Sequence, residues 1–263
     1  MTTAVALPRV AATRYVLPLR EGGSLPALVE ADDEGMYVLK LRGAGQGVKA
    51  LVAELLVGEL ARACGLPVPE ITVVELDREL AAAEPDPEIQ ELLQASAGIN
   101  VGLDFLPGAL PFTPGAPPAG LDAELAAAVV WLDALTLNVD RSPRNPNLLT
   151  WHDRLWLIDH GAALYPHHAP GWPQGAAGSS YPQITDHVLL ATAGSISAAH
   201  ERLAAPLDRR RLDELVALIP GELLGADPDS ERAAYAGVLE QRLRSGAFAV
   251  EAEAARQRSA GDG

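Results

Sequence analysis

The chain has 263 residues, enough for one large domain or two smaller lobes around a cleft. Its 35 acidic and 20 basic side chains give a formal charge of -15, which argues against a broad basic surface for nucleic acid. A lone cysteine, Cys64, excludes an internal disulfide framework and cannot by itself build a zinc site.

No run reaches the roughly eighteen consecutive apolar residues of a membrane helix. Residues 1–10, interrupted by Pro8 and Arg9, lack the apolar run of a signal peptide. A cytoplasmic protein is expected, without direct contact to nucleic acid or membrane.

The N-terminal half reads as strands around one helix. Residues 1–13 look like a loose lead-in, and 15–19 alternate weakly as a first strand. A glycine turn (20–26), a strand (27–31), an acidic turn (32–35) and a strand (36–42) follow. Lys40 falls inside that last strand. Burying a lone ammonium costs free energy, so such a lysine either faces water at an edge or is paired. The loop 42–47 holds Gly43, Gly45 and Gly47; it could close over phosphates or simply connect two elements.

Residues 48–64 have helical period, with Leu51, Leu55, Leu60 and Ala61 apolar, and Gly65, Pro67 and Pro69 mark the stop. Glu54 is the candidate partner for a strand lysine, with Glu59 as competitor. A strand is expected at 71–76, two helical pieces in the acidic, Ala-rich stretch 77–96, and an extended segment at 99–106. Residues 107–120 carry five prolines and three glycines, the best linker in the chain.

Residues 121–137 form a mostly apolar helix, interrupted by Asp133, that delivers the chain into Asn138-Val139-Asp140. Asp140 precedes Asn145 by five positions. An apolar pair (Leu148, Leu149), a turn (His152, Asp153) and a second apolar run (155–158) lead to Asp159-His160-Gly161. Beyond, His167 and His168 form a weak metal signal, because no cysteine or well-spaced carboxylate accompanies them. Residues 170–181 read as a mobile loop, and helices are expected at 185–193, 195–203, 208–219 and 229–243. The polar tail 244–263 is expected to be frayed or disordered.

Two short strands with carboxylates before and after them suit a metal–phosphate arrangement. In protein kinases the order is H-R-D-x-x-x-x-N followed by D-F-G. One carboxylate faces the attacking hydroxyl, while an amide oxygen and a second carboxylate hold Mg²⁺ against the nucleotide phosphates. By this reading Asp140 is the base, and Asn145 and Asp159 are the metal ligands. A polar surface turn capped by Asp and Asn is the bland alternative.

Four segments together resemble the HipA-like kinases, in the compact form without an extra N-terminal domain. They are Gly22-Gly23-Ser24 with the strand after it, Val38-Leu39-Lys40-Leu41, the helix from Glu54 ending in Gly65-Leu66-Pro67-Val68-Pro69, and the 138–161 region. The phosphate loop departs from the family in lacking its usual Gln-Lys stretch.

The resemblance implies an α+β, two-lobed protein-kinase-like fold. The small antiparallel-sheet N-lobe would span 14–106 with one main helix, and a mostly helical C-lobe 107–243. It implies ATP and Mg²⁺ as cofactors. Gly22, Gly23, Ser24, Lys40, Glu54 and the hinge residues Phe105 and Leu106 would bind the nucleotide. The implied reaction is phosphoryl transfer to serine or threonine of a protein. A small-molecule kinase of aminoglycoside-phosphotransferase type and a nucleotide-binding pseudokinase are the alternatives. Nothing in the chain identifies an antitoxin partner.

Overall fold

The computed structural model describes residues 6–19 and 25–261. The expected phosphate-loop residues Gly22, Gly23 and Ser24 lie outside them. The architecture is α+β. Five strands close into a barrel: β1 (Arg9–Pro18), β2 (Ala27–Ala31), β3 (Met36–Lys40), β4 (Ile71–Leu76) and β5 (Gly98–Asp104), in the order β1-β2-β3-β5-β4.

Two expectations are corrected here. The sheet is not wholly antiparallel, because β1 runs parallel to β4, with Arg9–Ala11 facing Val73–Glu75. The supposed lead-in is already strand from Arg9. Irregularities at Ala12/Arg14 and Tyr15/Leu17 shift the register against β2 and spoil the two-residue alternation that reveals a strand.

The barrel sorts its side chains by the pleat. In β4, Val74 and Leu76 face the interior with Val10, Val29 and Leu39. Ile71 and Val73 face outward, onto the main helix α1 (Val48–Ala63). Helix α1 is buried on nearly every side from Leu51 to Ala61, as expected of a helix apolar all round. Gly65, at φ 75°, ends it: Leu66 N–H donates to Ala61 O and Gly65 N–H to Arg62 O. The shorter α2 (Pro87–Ala95) closes the barrel with Ile89 and Leu93.

The presumed linker 107–120 is partly paired. Its strand β6 (Leu110–Pro111) adds to a hairpin of β7 (Leu148–Trp151) and β8 (Arg154–Leu157). His152 and Asp153, both at positive φ, make the tight turn of that hairpin. Helix α3 (Ala123–Thr136) is buried from Ala126 onward, with Asp122 capping its start at Leu125 N–H. Around it pack α4 (Ile196–Ala204), α6 (Pro228–Ser245) and α7 (Ala247–Gly261), and α5 (Arg209–Val216) packs on α6. Residues 185–193 are not a helix: a 3-10 turn at Pro182–Asp186 is followed by turns. Among the described residues no helix is long and apolar enough to cross a membrane.

The tail is the largest correction. Residues 247–261 form α7, whose Phe248, Ala249, Ala252 and Ala255 are buried at helical spacing. The Phe248 ring lies 5.7 Å from that of Trp131 on α3. Small alanines make up most of this apolar face, so mean hydropathy hid it. Phe248→Ala is expected to lower stability by about 3–5 kcal/mol, read as a lower urea midpoint at constant slope. A disordered tail would leave the midpoint unchanged.

Candidate active site

Lys40 closes β3, which lies between β2 and β5, so it is not the edge lysine of the bland reading. Its ammonium meets Asp159 Oδ1 at 2.8 Å. Burial works against the charge, but Glu54, Asp159 and Asp140 outweigh it and hold the Lys40 pKa above its ordinary value. For Asp159 burial pushes the other way from Lys40, and the ammonium wins, so the carboxyl lies below its usual range. Asp159 follows β8 at φ 55°, a left-handed conformation that aspartate tolerates better than most residues.

Glu54, in the middle of α1, is 1% exposed. Neither carboxylate oxygen has a hydrogen bond of good geometry, although His160 N–H is near enough to favour the charge. Burial pushes its pKa up to about 7, with Lys40 opposing and Asp159 adding to the shift. The competitor Glu59 faces Arg62, with 3.5 Å between its oxygen and Nε. The structure therefore sets Glu54, not Glu59, beside the strand lysine.

Asp140 leaves the end of α3 on a short loop. Asn145 Nδ2 donates to Asp140 Oδ2 at 2.8 Å. Asn147 Nδ2 donates to Asp140 O at 2.8 Å and, more weakly, to Oδ2 at 3.3 Å. Two amides thus aim one carboxylate. Asn147, which sits at φ 49°, has a role that sequence reasoning missed.

These side chains share one continuous cleft. Its larger part, about 720 Å³, is walled by Val38, Leu103, Phe105, Leu106, Leu148 and Ile158. A smaller part of about 210 Å³ is lined by Gly45, Gln46, Glu54 and Asp140. Lys40, Asn145 and Asp159 line both. The larger part has the size and apolar walls of a small-molecule site.

Among the described residues no three His, Cys, Asp or Glu side chains gather as a metal cage. Asn145 and Asp159 instead offer one amide oxygen and one carboxylate. Such hard oxygens fit a cation that completes its shell from water and phosphate. His167 and His168 face each other, Nε2 to Nε2 at 2.9 Å, and His167 Nδ1 lies 3.0 Å from Tyr235 Oη.

The family model of HipA-like kinases matches residues 14–170, well over half of the chain. The chain belongs to the HipA-like kinase family. It is thereby a protein-kinase-like phosphotransferase in class. Among solved structures it is similar to the Helicobacter pylori proinflammatory kinase CtkA. The identity is 13%, covering 91% of this chain and 99% of that one, at a TM-score of 0.50. It is also similar to the Golgi casein kinase with Mn/ADP bound, at 13% identity over 94% of this chain and 73% of that one, TM-score 0.49. At such identities the likeness concerns fold alone. No curated protein is significantly similar in sequence.

Beneath the cleft of this HipA-like kinase lies a buried polar network that sequence reasoning missed. Asp133 on α3 accepts from Arg141 Nε at 2.5 Å, His187 Nε2 at 2.9 Å and Asn138 Nδ2 at 2.9 Å. Burial pushes the Asp133 carboxyl up, but Arg141 and His187 hold it far below the usual range. Arg141 also donates to Asn147 O and, at 3.4 Å, to Ile158 O. One signal was present: Asp133 interrupts an otherwise apolar helix, and a buried carboxylate must have partners.

Two outcomes follow. Asp133→Ala strands a buried guanidinium and is expected to cost about 3–5 kcal/mol in urea unfolding. The second concerns acid. Burial, then His168 and Lys49, push the His167 pKa down to about 3, so neutral His167 favours the fold. That contribution is complete above the ordinary value of 6.5 and is lost as pH falls from there toward about 3. His167→Gln should flatten the stability–pH curve between those limits, by about 1 kcal/mol per pH unit in unfolding free energy.

Proposed function

We propose that this HipA-like kinase transfers the γ-phosphoryl group of ATP to a hydroxyl, with serine or threonine of a protein as acceptor. One observation carries the reading: Lys40, Asn145 and Asp159 line both the apolar cleft and the acidic pocket that contains Asp140. Nucleotide base and transferred group would each find the chemistry they need on either side of that junction.

In this proposal Phe105 and Leu106, with Val38, Leu148 and Ile158, enclose the adenine. Asn145 and Asp159 would hold Mg²⁺, which when bound would offset phosphate charge. Lys40 would offset charge on the phosphates, and Glu54, buried close by, would remain as a counter-charge that orients the ammonium. Asp140 accepts the proton of the incoming hydroxyl, its carboxylate aimed by Asn145 and Asn147. Gly22, Gly23 and Ser24 are proposed from sequence as the loop over the phosphates. The barrel with α1 would act as the N-lobe (14–106), the helical part as the C-lobe (107–243), in a cytoplasmic enzyme.

Asp140→Asn tests this directly. Turnover of Mg²⁺-ATP should fall by about 10²–10⁴-fold, while nucleotide affinity by calorimetry stays within a few-fold. Wild-type protein that binds ATP without turnover would instead be a nucleotide-binding pseudokinase.

A further inference from the structure

We propose that α7 and the segment 177–181 form a brace that positions Asp140, with Tyr181 as its contact residue and Glu251 and Arg242 as its anchors. The inference rests on Asp140 being the catalytic carboxylate. It concerns residues outside the 14–170 stretch that the family model matches.

Tyr181 is 2% exposed, and its phenol donates to the backbone oxygen of Asn138. Asn138 is fully buried and stands between α3 and Asp140. Its own amide N–H donates to Asp133 O at 2.9 Å, and its Oδ1 accepts from Asp140 N–H at 3.3 Å. The phenol therefore acts one residue link away from the backbone of the proposed base. A phenylalanine would fill the same space but could not fix the direction of that carbonyl.

Two anchors hold Tyr181 in turn. Both oxygens of Glu251, on α7, accept from Tyr181 N–H, at 3.0 and 3.1 Å. Arg242, near the end of α6, is 2% exposed and spends its donors on backbone carbonyls. Nε reaches Leu135 O at 2.7 Å and Nη2 reaches Ala134 O at 2.9 Å, in the last turn of α3. Nη1 reaches Ser179 O at 2.8 Å and Ala177 O at 3.2 Å.

One guanidinium thus clamps segment 177–181 to the helix end from which the catalytic loop departs. A cation at that end also suits the helix dipole. Phe248 of α7 lies 5.6 Å from the guanidinium carbon and shields it. Apolar packing alone would hold α7 to α3. The directional bonds instead converge on Ala134 and Leu135 at the end of α3 and on Asn138 just before Asp140, which is what a positioning device requires.

The test uses the full chain with Tyr181→Phe, Glu251→Ala and Glu251→Gln. ATP turnover is read as ADP release, and hydrogen–deuterium exchange is followed across the amides of 138–147. Tyr181→Phe is expected to lower kcat about tenfold to a hundredfold with the KM for ATP within about twofold, since small misplacement of a reacting group carries such a cost. Exchange at 138–147 should quicken while that of α1 and the barrel does not change. Glu251→Ala should follow the same pattern, and Glu251→Gln, which keeps an acceptor oxygen, should recover most of kcat.

Unchanged kcat in Tyr181→Phe, or unchanged exchange at 138–147, overturns the brace. If Tyr181→Phe fails to fold, the Glu251 pair decides by the same two readouts. If the wild-type chain turns over no ATP, the phosphotransfer reading fails by itself, and the exchange data alone decide whether the brace holds the loop.

Discussion

The cleft depends on a buried ion pair that does not touch it. Arg141 follows the proposed base directly in sequence, yet its guanidinium points inward to Asp133 on α3. From there it bonds Asn147 O at the end of the loop that carries Asp140 and Ile158 O just ahead of Asp159. One rigid, planar donor set therefore spans both loops that carry the oxygens of the site. Taking both charges out of water costs more than a surface pair would return. The cost makes sense only because both oxygens of Asp133 and most donors of Arg141 have partners. Distances between Asp140, Asn145 and Asp159 are then set by hydrogen-bond geometry and not by loop flexibility.

Above that foundation the charges are deliberately unbalanced. Among the described residues Lys40 is the sole ammonium lining the smaller pocket, against the carboxylates of Glu54, Asp140 and Asp159. It pairs with Asp159, leaving Glu54 buried without a hydrogen bond of good geometry. Two acids thus compete for one cation. In the proposed reaction a divalent ion would take Asp159, and Glu54 would become the lysine's principal counter-charge. The ion pair of the free protein and the arrangement in such a complex would then differ by an exchange of partners at Lys40.

What could be read from the sequence was whatever is local. The helix stop at Gly65, the turn at His152-Asp153 and the order Asp140, Asn145, Asp159 each depend on residues a few positions apart. The strand lysine was legible because an ammonium is unusual among strand apolars, and the helix glutamate only because the kinase order asks for a partner to that lysine. Strand β1 was hidden by its irregular register, and α7 by building its buried face from alanine. The supports of the loop were hidden for another reason. Tyr181 lies 43 positions from Asn138 and Glu251 lies 70 from Tyr181, and no spacing rule reaches so far. Asp133 alone gave a hint, as a charge in a helix that could not leave it in water.

The protonation of Glu54 connects these layers. Burial, opposed by Lys40 and aided by the neighbouring Asp159, pushes its pKa up to about 7, so the site favours the protonated acid more than water does. A protonated Glu54 removes one negative charge from a pocket that has too many, and the Lys40–Asp159 pair persists. Binding a divalent cation at Asn145 and Asp159 would change the balance from outside. Positive charge arriving there favours the ionised form of Glu54, which frees a proton and supplies Lys40 with its second partner. Loading of the site would then be linked to proton release, because this carboxylate is buried with only the His160 N–H near it to favour its charge besides Lys40.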